Sequence, residues 1–265
     1  MEQPLIPVKP NFDPSLITPD LVRGLSLGTL TERYGTIGIY TRLKDSLQVR
    51  GFGDNELIHT SLQLGLALHA NDVRTNGAYN DHLMRVMLHV LEDYNIKDEN
   101  TIAAAPLHDS FEDHPIDLVT TLTGERPESR AHALDLGRTT LARITNDEVA
   151  EIVWTMTNPE VKDGQDKLEV YAEHTEQLVR RFPKARVNKL GDFTDNASGN
   201  HATIGLEKQR KADLKYIRLY RIHELGLFMP DSLITGPERI RALDLLSKGY
   251  ARALGRLAAQ PLLSA

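Results

Sequence analysis

Residues 107–114 read Leu-His-Asp-Ser-Phe-Glu-Asp-His. His108, Asp109, Glu112, Asp113 and His114 all ionise or ligate metal. On a helix, adjacent His108 and Asp109 point about 100° apart, so both reach one ion only at the end or edge of that helix. Glu112 lies one turn beyond His108 and Asp113 one turn beyond Asp109, extending the same edge. Beside the apolar run Ile102-Ala-Ala-Ala, such a cluster is costly to bury unless a cation or partner charge compensates. The plain alternative is an acidic surface turn, whose charge opposes the helix dipole.

Further candidates flank this octet. Upstream stands His82, at the end of Arg74-Thr-Asn-Gly-Ala-Tyr-Asn-Asp-His. Downstream, Lys189-Leu-Gly-Asp-Phe-Thr-Asp-Asn places Asp192 and Asn196 on one helix face at i, i+4. Taken singly, each is as well explained by structure: a lone histidine in a core, or the polar edge of an amphipathic helix.

Helices must position these groups. Leu83, Met87, Val90, Leu91 and Tyr94 follow the 3.6-residue period, as do apolar sets in 146–156, 167–182, 214–225 and 237–257. A further helix is expected over 99–113, with Asn100 as N-cap, Asn146 or Asp147 caps the helix of 149–156, and Pro237 suits a first turn. Leu62, Leu64, Leu66 and Leu68 alternate as in a strand, but residues 62–68 contain no β-branched side chain, and helix is the better reading. Residues 1–58, rich in proline and glycine, read as an extended arm, with a short strand or hairpin at Tyr34–Tyr40. The polar stretch 124–135 reads as an inserted loop. The expected architecture is mostly α: a helical bundle at 59–225, an irregular arm at 1–58 and a C-terminal helical extension at 226–265.

Composition limits the function. The chain of 265 residues carries a formal charge of −6, which disfavours non-specific duplex binding. The basic stretches 180–189 and 207–221 suit a small anionic ligand better than a long polyanion. Cysteine is absent, which excludes thiolate metal sites and a cysteine nucleophile. No apolar run reaches the roughly 18 residues of a membrane span, and the N-terminus lacks a signal-peptide pattern. A cytoplasmic protein without nucleic-acid or membrane partners is expected, and a homo-oligomer is left open.

Together the candidates resemble the HD superfamily of metal-dependent phosphohydrolases, and most closely the hydrolase domain of RelA/SpoT proteins and small alarmone hydrolases. That family's Ala-His … Arg … Gly … Tyr … His segment is resembled by Ala67, His69, Arg74, Gly77, Tyr79 and His82. Its Ala-Ala-Leu-Leu-His-Asp-x-x-Glu-Asp is resembled by residues 104–113. Its Lys-Leu-Ala-Asp-Arg-x-x-Asn is resembled by residues 189–196, and its Glu-Lys-Gln-Arg by residues 207–210. The resemblance implies an HD fold over about 60–222 and metal ligation by His82, His108, Asp109 and Asp192. It makes Glu112 and Asp113 the catalytic acids, has Arg74 and Asn196 hold the nucleotide, and leaves His69 in the core. The implied N/O ligand set suits Mn²⁺ or Fe²⁺, with Mg²⁺ as a further option. Lys189, and less strongly Arg180, Arg181, Lys208 and Arg210, would neutralise phosphate.

The implied reaction removes the 3′-pyrophosphate of (p)ppGpp or a related alarmone. Thr75 stands where the family has a basic residue, Pro106 where it has an apolar one, Phe193 where it has arginine and Asp195 where it has histidine. The spacing from Arg74 to His82 is one residue short. Two alternatives therefore stand beside the first: an HD phosphohydrolase for another nucleotide (a dNTP, an NMP or a cyclic dinucleotide), and a catalytically silent nucleotide-binding sensor.

Overall fold

The computed structural model describes residues 16–74, 77–197 and 205–259. They form a mostly α bundle with one two-stranded ribbon. Helices α1 (Pro19–Arg23) and α2 (Leu27–Val49) lead into α3 (Glu56–Leu68). Strands β1 (Val73–Arg74) and β2 (Gly77–Ala78) form the ribbon, pairing Val73 with Ala78 and Arg74 with Gly77. Helix α4 (Tyr79–Leu88) continues into a π turn, His89–Asp93. Next come α5 (Glu99–Ala104), a 3₁₀ turn at Ala105–Leu107, α6 (Ser110–Asp113), α7 (Pro115–Thr123), α8 (Arg130–Ile144) and α9 (Asp147–Met156). The chain ends with α10 (Lys167–Arg181), α11 (Pro183–Ala197), α12 (Leu206–Leu227) and α13 (Gly236–Ala259). No helix among the described residues is long and apolar enough to cross a membrane.

Helices α4 and α11 are the centre of the bundle. Every residue from Asp81 to Leu88 is buried, and so is nearly all of Ala185–Ala197. Polar residues on these two helices must therefore find partners inside the protein.

The expected extended arm is helical over 19–23 and again over 27–49, with a break inside the second helix at Gly35. Leu30, Ile39, Leu43 and Leu47 are buried along one side of α2, and that burial overrides the weak helix propensity of its β-branched and aromatic residues. Gly35, at φ 56°, supplies the break without a Cβ penalty. No strand forms at Tyr34–Tyr40. The remainder of the arm, residues 1–15, lies outside the described residues, as does Thr75. One buried apolar cluster runs from Leu30 through Met84 and Leu190 to Leu246, so arm, bundle and C-terminal helix share a core.

Two smaller expectations also change. The loop over 124–135 is shorter, because Ser129 accepts a hydrogen bond from the His132 amide and starts α8 at Arg130. Asp98, not Asn100, caps α5, accepting from the amide and hydroxyl of Thr101. Asn146 caps α9 as expected, and 62–68 is helical.

Pro106 ends the regular helix before the histidine-aspartate pair, and α3 crosses that turn closely. A Cβ at Gly65 would lie 2.3 Å from the Pro106 carbonyl oxygen. Gly65→Ala is expected to cost about 1–3 kcal/mol, because a backbone atom cannot swing aside. Urea unfolding measures this loss, and an unchanged midpoint would contradict the close approach.

Candidate metal centre

The break at Pro106 answers the geometric problem posed by adjacent ligands. His108 and Asp109 lie between the 3₁₀ turn and α6, not within one regular helix. Their side chains therefore converge, with His108 Nε2 2.8 Å from Asp109 Oδ2. From α4, His82 brings its Nε2 to 3.3 Å from His108 Nε2. From α11, Asp192 Oδ1 lies 3.4 Å from His82 Nε2 and 3.8 Å from His108 Nε2. The ligand atoms of His82, His108 and Asp109 all fall within 4.8 Å of one another. Both histidines are fully buried at the side chain, while Asp109 and Asp192 keep 14% and 11% exposure, a narrow opening to solvent.

The other ring nitrogens decide what this cluster holds. His108 Nδ1 is 2.8 Å from the Ala105 carbonyl oxygen, which only accepts, so Nδ1 carries the hydrogen. His82 Nδ1 donates to Asp195 Oδ2 at 2.7 Å. Arg85 fixes that carboxylate, donating from Nε at 2.7 Å and from Nη2 at 3.0 Å. Two bare Nε2 lone pairs thus face each other beside two carboxylates. That arrangement can hold a cation between them, and the donor set fits a divalent transition metal.

Without an ion, a proton takes that place. Burial opposes charging His108, but contact with Asp109 outweighs it and lifts the ring to about 9. Burial also works against charge on Asp109, yet His108, His82 and Lys189 hold it well below the usual carboxylate range. Asp192 and Asp195 are likewise depressed against burial, by His82 and His108 in the first case and by Arg85 and His82 in the second.

The expected substrate residues reach the same place. Arg74 Nη1 donates to Asn196 Oδ1 at 2.8 Å, and the Asn196 amide donates to Asp192. Lys189 is only 2% exposed, with Nζ 3.9 Å from Asp192 Oδ2 and 5.3 Å from the centre of the Tyr171 ring. Arg180 instead pairs with Glu176 on an exposed face. Phe193 is turned inward, stacked on His223 at 4.4 Å and edge-on to Tyr216 at 5.2 Å.

Glu112 and Asp113 sit at the rim. Glu112 accepts from the Asn158 amide and side chain, both at 2.8 Å. Loss of surrounding water, then the Asp109 and Glu112 charges, push Asp113 up to about 6. Just before them in the chain, Phe111 packs edge-on against Trp154, with ring centres 5.6 Å apart, steadying the turn. Glu112 also borders a cavity of about 460 Å³ that Tyr171, Lys167 and Lys215 help to line, with the Lys215 ammonium 3.6 Å from the Tyr171 ring centre.

Some residues of the site had no role assigned to them from the sequence. The Tyr79 hydroxyl donates to Asp109 Oδ2 and lies 3.5 Å from Asp113 Oδ2, and Arg74 lies over its ring. Asp195, read only as a departure from a motif, orients His82. A signal did exist: Asp195 follows Asp192 at i+3 and Arg85 follows His82 at i+3, so each shares a face with its ligand. Tyr171 and Lys215 come from distant helices, and no local pattern marks them.

No family model, curated protein or solved structure matches this chain.

Proposed function

We propose that the chain is a metal-dependent nucleotide phosphohydrolase of the HD type, removing the 3′-pyrophosphate of (p)ppGpp or a related alarmone. The observation that carries this reading is the pair of opposed Nε2 atoms, 3.3 Å apart, closed by two carboxylates, with Glu112 three residues after Asp109 bordering a cavity that Lys167 and Lys215 help to line.

His82, His108, Asp109 and Asp192 would hold the ion. Bound there, Mn²⁺ or a similar ion would supply charge to offset phosphate and to acidify water. The chain's own residues supply the rest. Glu112, fixed by Asn158, is aimed at the cavity and can orient a water. Asp113, lifted to about 6, can accept or return a proton near neutral pH. Lys167 and Lys215 draw the anionic substrate in, and Tyr171 and Arg74 offer flat surfaces to a base.

The test is Mn²⁺-dependent release of pyrophosphate from ppGpp, with pppGpp, ppApp and a set of dNTPs alongside. Release from an alarmone supports the reading. Turnover of dNTPs alone moves the substrate to the second reading, an HD phosphohydrolase for another nucleotide. The inward packing of Phe193 favours that one, since it presents no charge to a guanine or a phosphate. Metal uptake without turnover of any of these overturns the hydrolase reading in favour of a sensor.

Lys215→Ala is expected to raise KM about tenfold with kcat little changed, the loss of about 1.4 kcal/mol of uniform binding. Steady-state kinetics check this, and an unaltered KM would take the cavity out of the substrate path.

A further inference from the structure

A second group of ligating side chains stands beside the first and takes no part in it. His69 caps the C-terminus of α3, Asp72 lies in the turn that follows, and His114 joins α6 to α7. Asp72 Oδ2 is 2.7 Å from His69 Nδ1 and 2.7 Å from His114 Nε2. The ligand atoms of all three fall within 4.8 Å of one another. The two rings meet edge-on, 4.6 Å between centres.

The group is built rather than casual. The Asp72 backbone is fixed at both ends, its amide donating to the His69 carbonyl and its carbonyl accepting from the Tyr79 amide, each at 3.1 Å. The His69 ring is stacked on Tyr79 at 4.5 Å, and its Nε2 is buried without a hydrogen-bond partner, so the ring's polar attachment is through Nδ1. One side is open, since Asp72 is 30% and His114 17% exposed at the side chain. An ion can enter there and retain waters.

We infer that His69, Asp72 and His114 form a second metal site, separate from the His82/His108 cluster, for a divalent transition ion of the Zn²⁺ or Co²⁺ class. Two imidazoles and one carboxylate with open positions select such ions over Mg²⁺ and Ca²⁺, which prefer oxygen donors. Asp117 Oδ2, 3.3 Å from His114 Nδ1, orients that ring from behind. The two sites are linked through Tyr79, which stacks on His69 and donates to Asp109.

The experiment counts ions in the full chain, stripped and reloaded with Co²⁺, by elemental analysis and by the visible spectrum. About two equivalents are expected in the wild type and about one in His114→Ala. Asp109→Ala is expected to lose the other equivalent, with its own part of the spectrum. Asp72→Asn repeats the test should His114→Ala fold poorly, as judged by circular dichroism. An ion count that neither folded variant changes overturns the inference. The count is independent of turnover, so an inactive protein holding two ions would sink the hydrolase reading and leave this site standing.

Discussion

Asp109→Ala is expected to abolish ion uptake at the His82/His108 cluster and, with it, all turnover. Even the outer partners of metal ligands are worth about 10–100-fold in affinity, so loss of a ligand should exceed 100-fold. Asp109 touches His108 at 2.8 Å and also accepts from Tyr79. Its removal therefore opens the cluster on two sides. The variant should still fold. His108 is charged chiefly because Asp109 is there, and without that carboxylate burial returns the ring to its neutral form. Titration calorimetry with Mn²⁺ and a pyrophosphate assay read the two losses separately. A variant that binds Mn²⁺ as the wild type does would remove Asp109 from the ligand set.

Asp195→Asn tests the support behind the ligands and is expected to hurt both stability and affinity. The wild-type carboxylate is 2% exposed at the side chain and takes hydrogen bonds from both Arg85 and His82. An amide leaves the Arg85 guanidinium buried without its counter-charge. Breaking such a pair costs about 3–5 kcal/mol. At roughly 2–4 °C per kcal/mol, the melting temperature should fall by about 10 °C. The amide also leaves His82 free to choose either tautomer, and ion affinity should fall about 10–100-fold.

The pH dependence has a definite sign. The folded Asp195 carboxyl lies below the ordinary range, so its contribution is complete above the unfolded value of about 3.9. It is lost only as pH falls below that toward the folded value. The stability gap between wild type and Asp195→Asn should therefore be flat from about pH 5 to 8 and narrow in stronger acid. A gap that closes near neutral pH would show that another group is being read.

Amphipathic segments with one clear face were legible from sequence. The stripe of α10 and the capped start of α9 needed only periodicity and a side-chain cap. The meeting of His82, His108, Asp109 and Asp192 was expected only because a resemblance supplied what spacing could not. The helical form of 27–49 was hidden because its stability comes from burial against α4, not from its own residues. Asp195 and Tyr79 were hidden for a related reason. Their roles depend on which helix crosses which, and an isolated buried acid looks the same in sequence whether it orients a ligand or merely balances an arginine. His69 was placed in the core and is indeed 1% exposed. Its partner His114 lies 45 positions further along the chain, a separation no local pattern spans.

The packing of Trp154 on Phe111 has a practical side. Trp154 is the one tryptophan of the chain, and Phe111 lies on the short turn between Asp109 and Glu112. Excited at the red edge, the protein emits from a single indole lodged against the segment where ion and water would meet. Its emission needs no attached dye and no averaging over several emitters. Stopped-flow mixing with Mn²⁺ or a nucleotide would therefore follow that turn in real time, and so separate ligand arrival from the bond-breaking that comes after it.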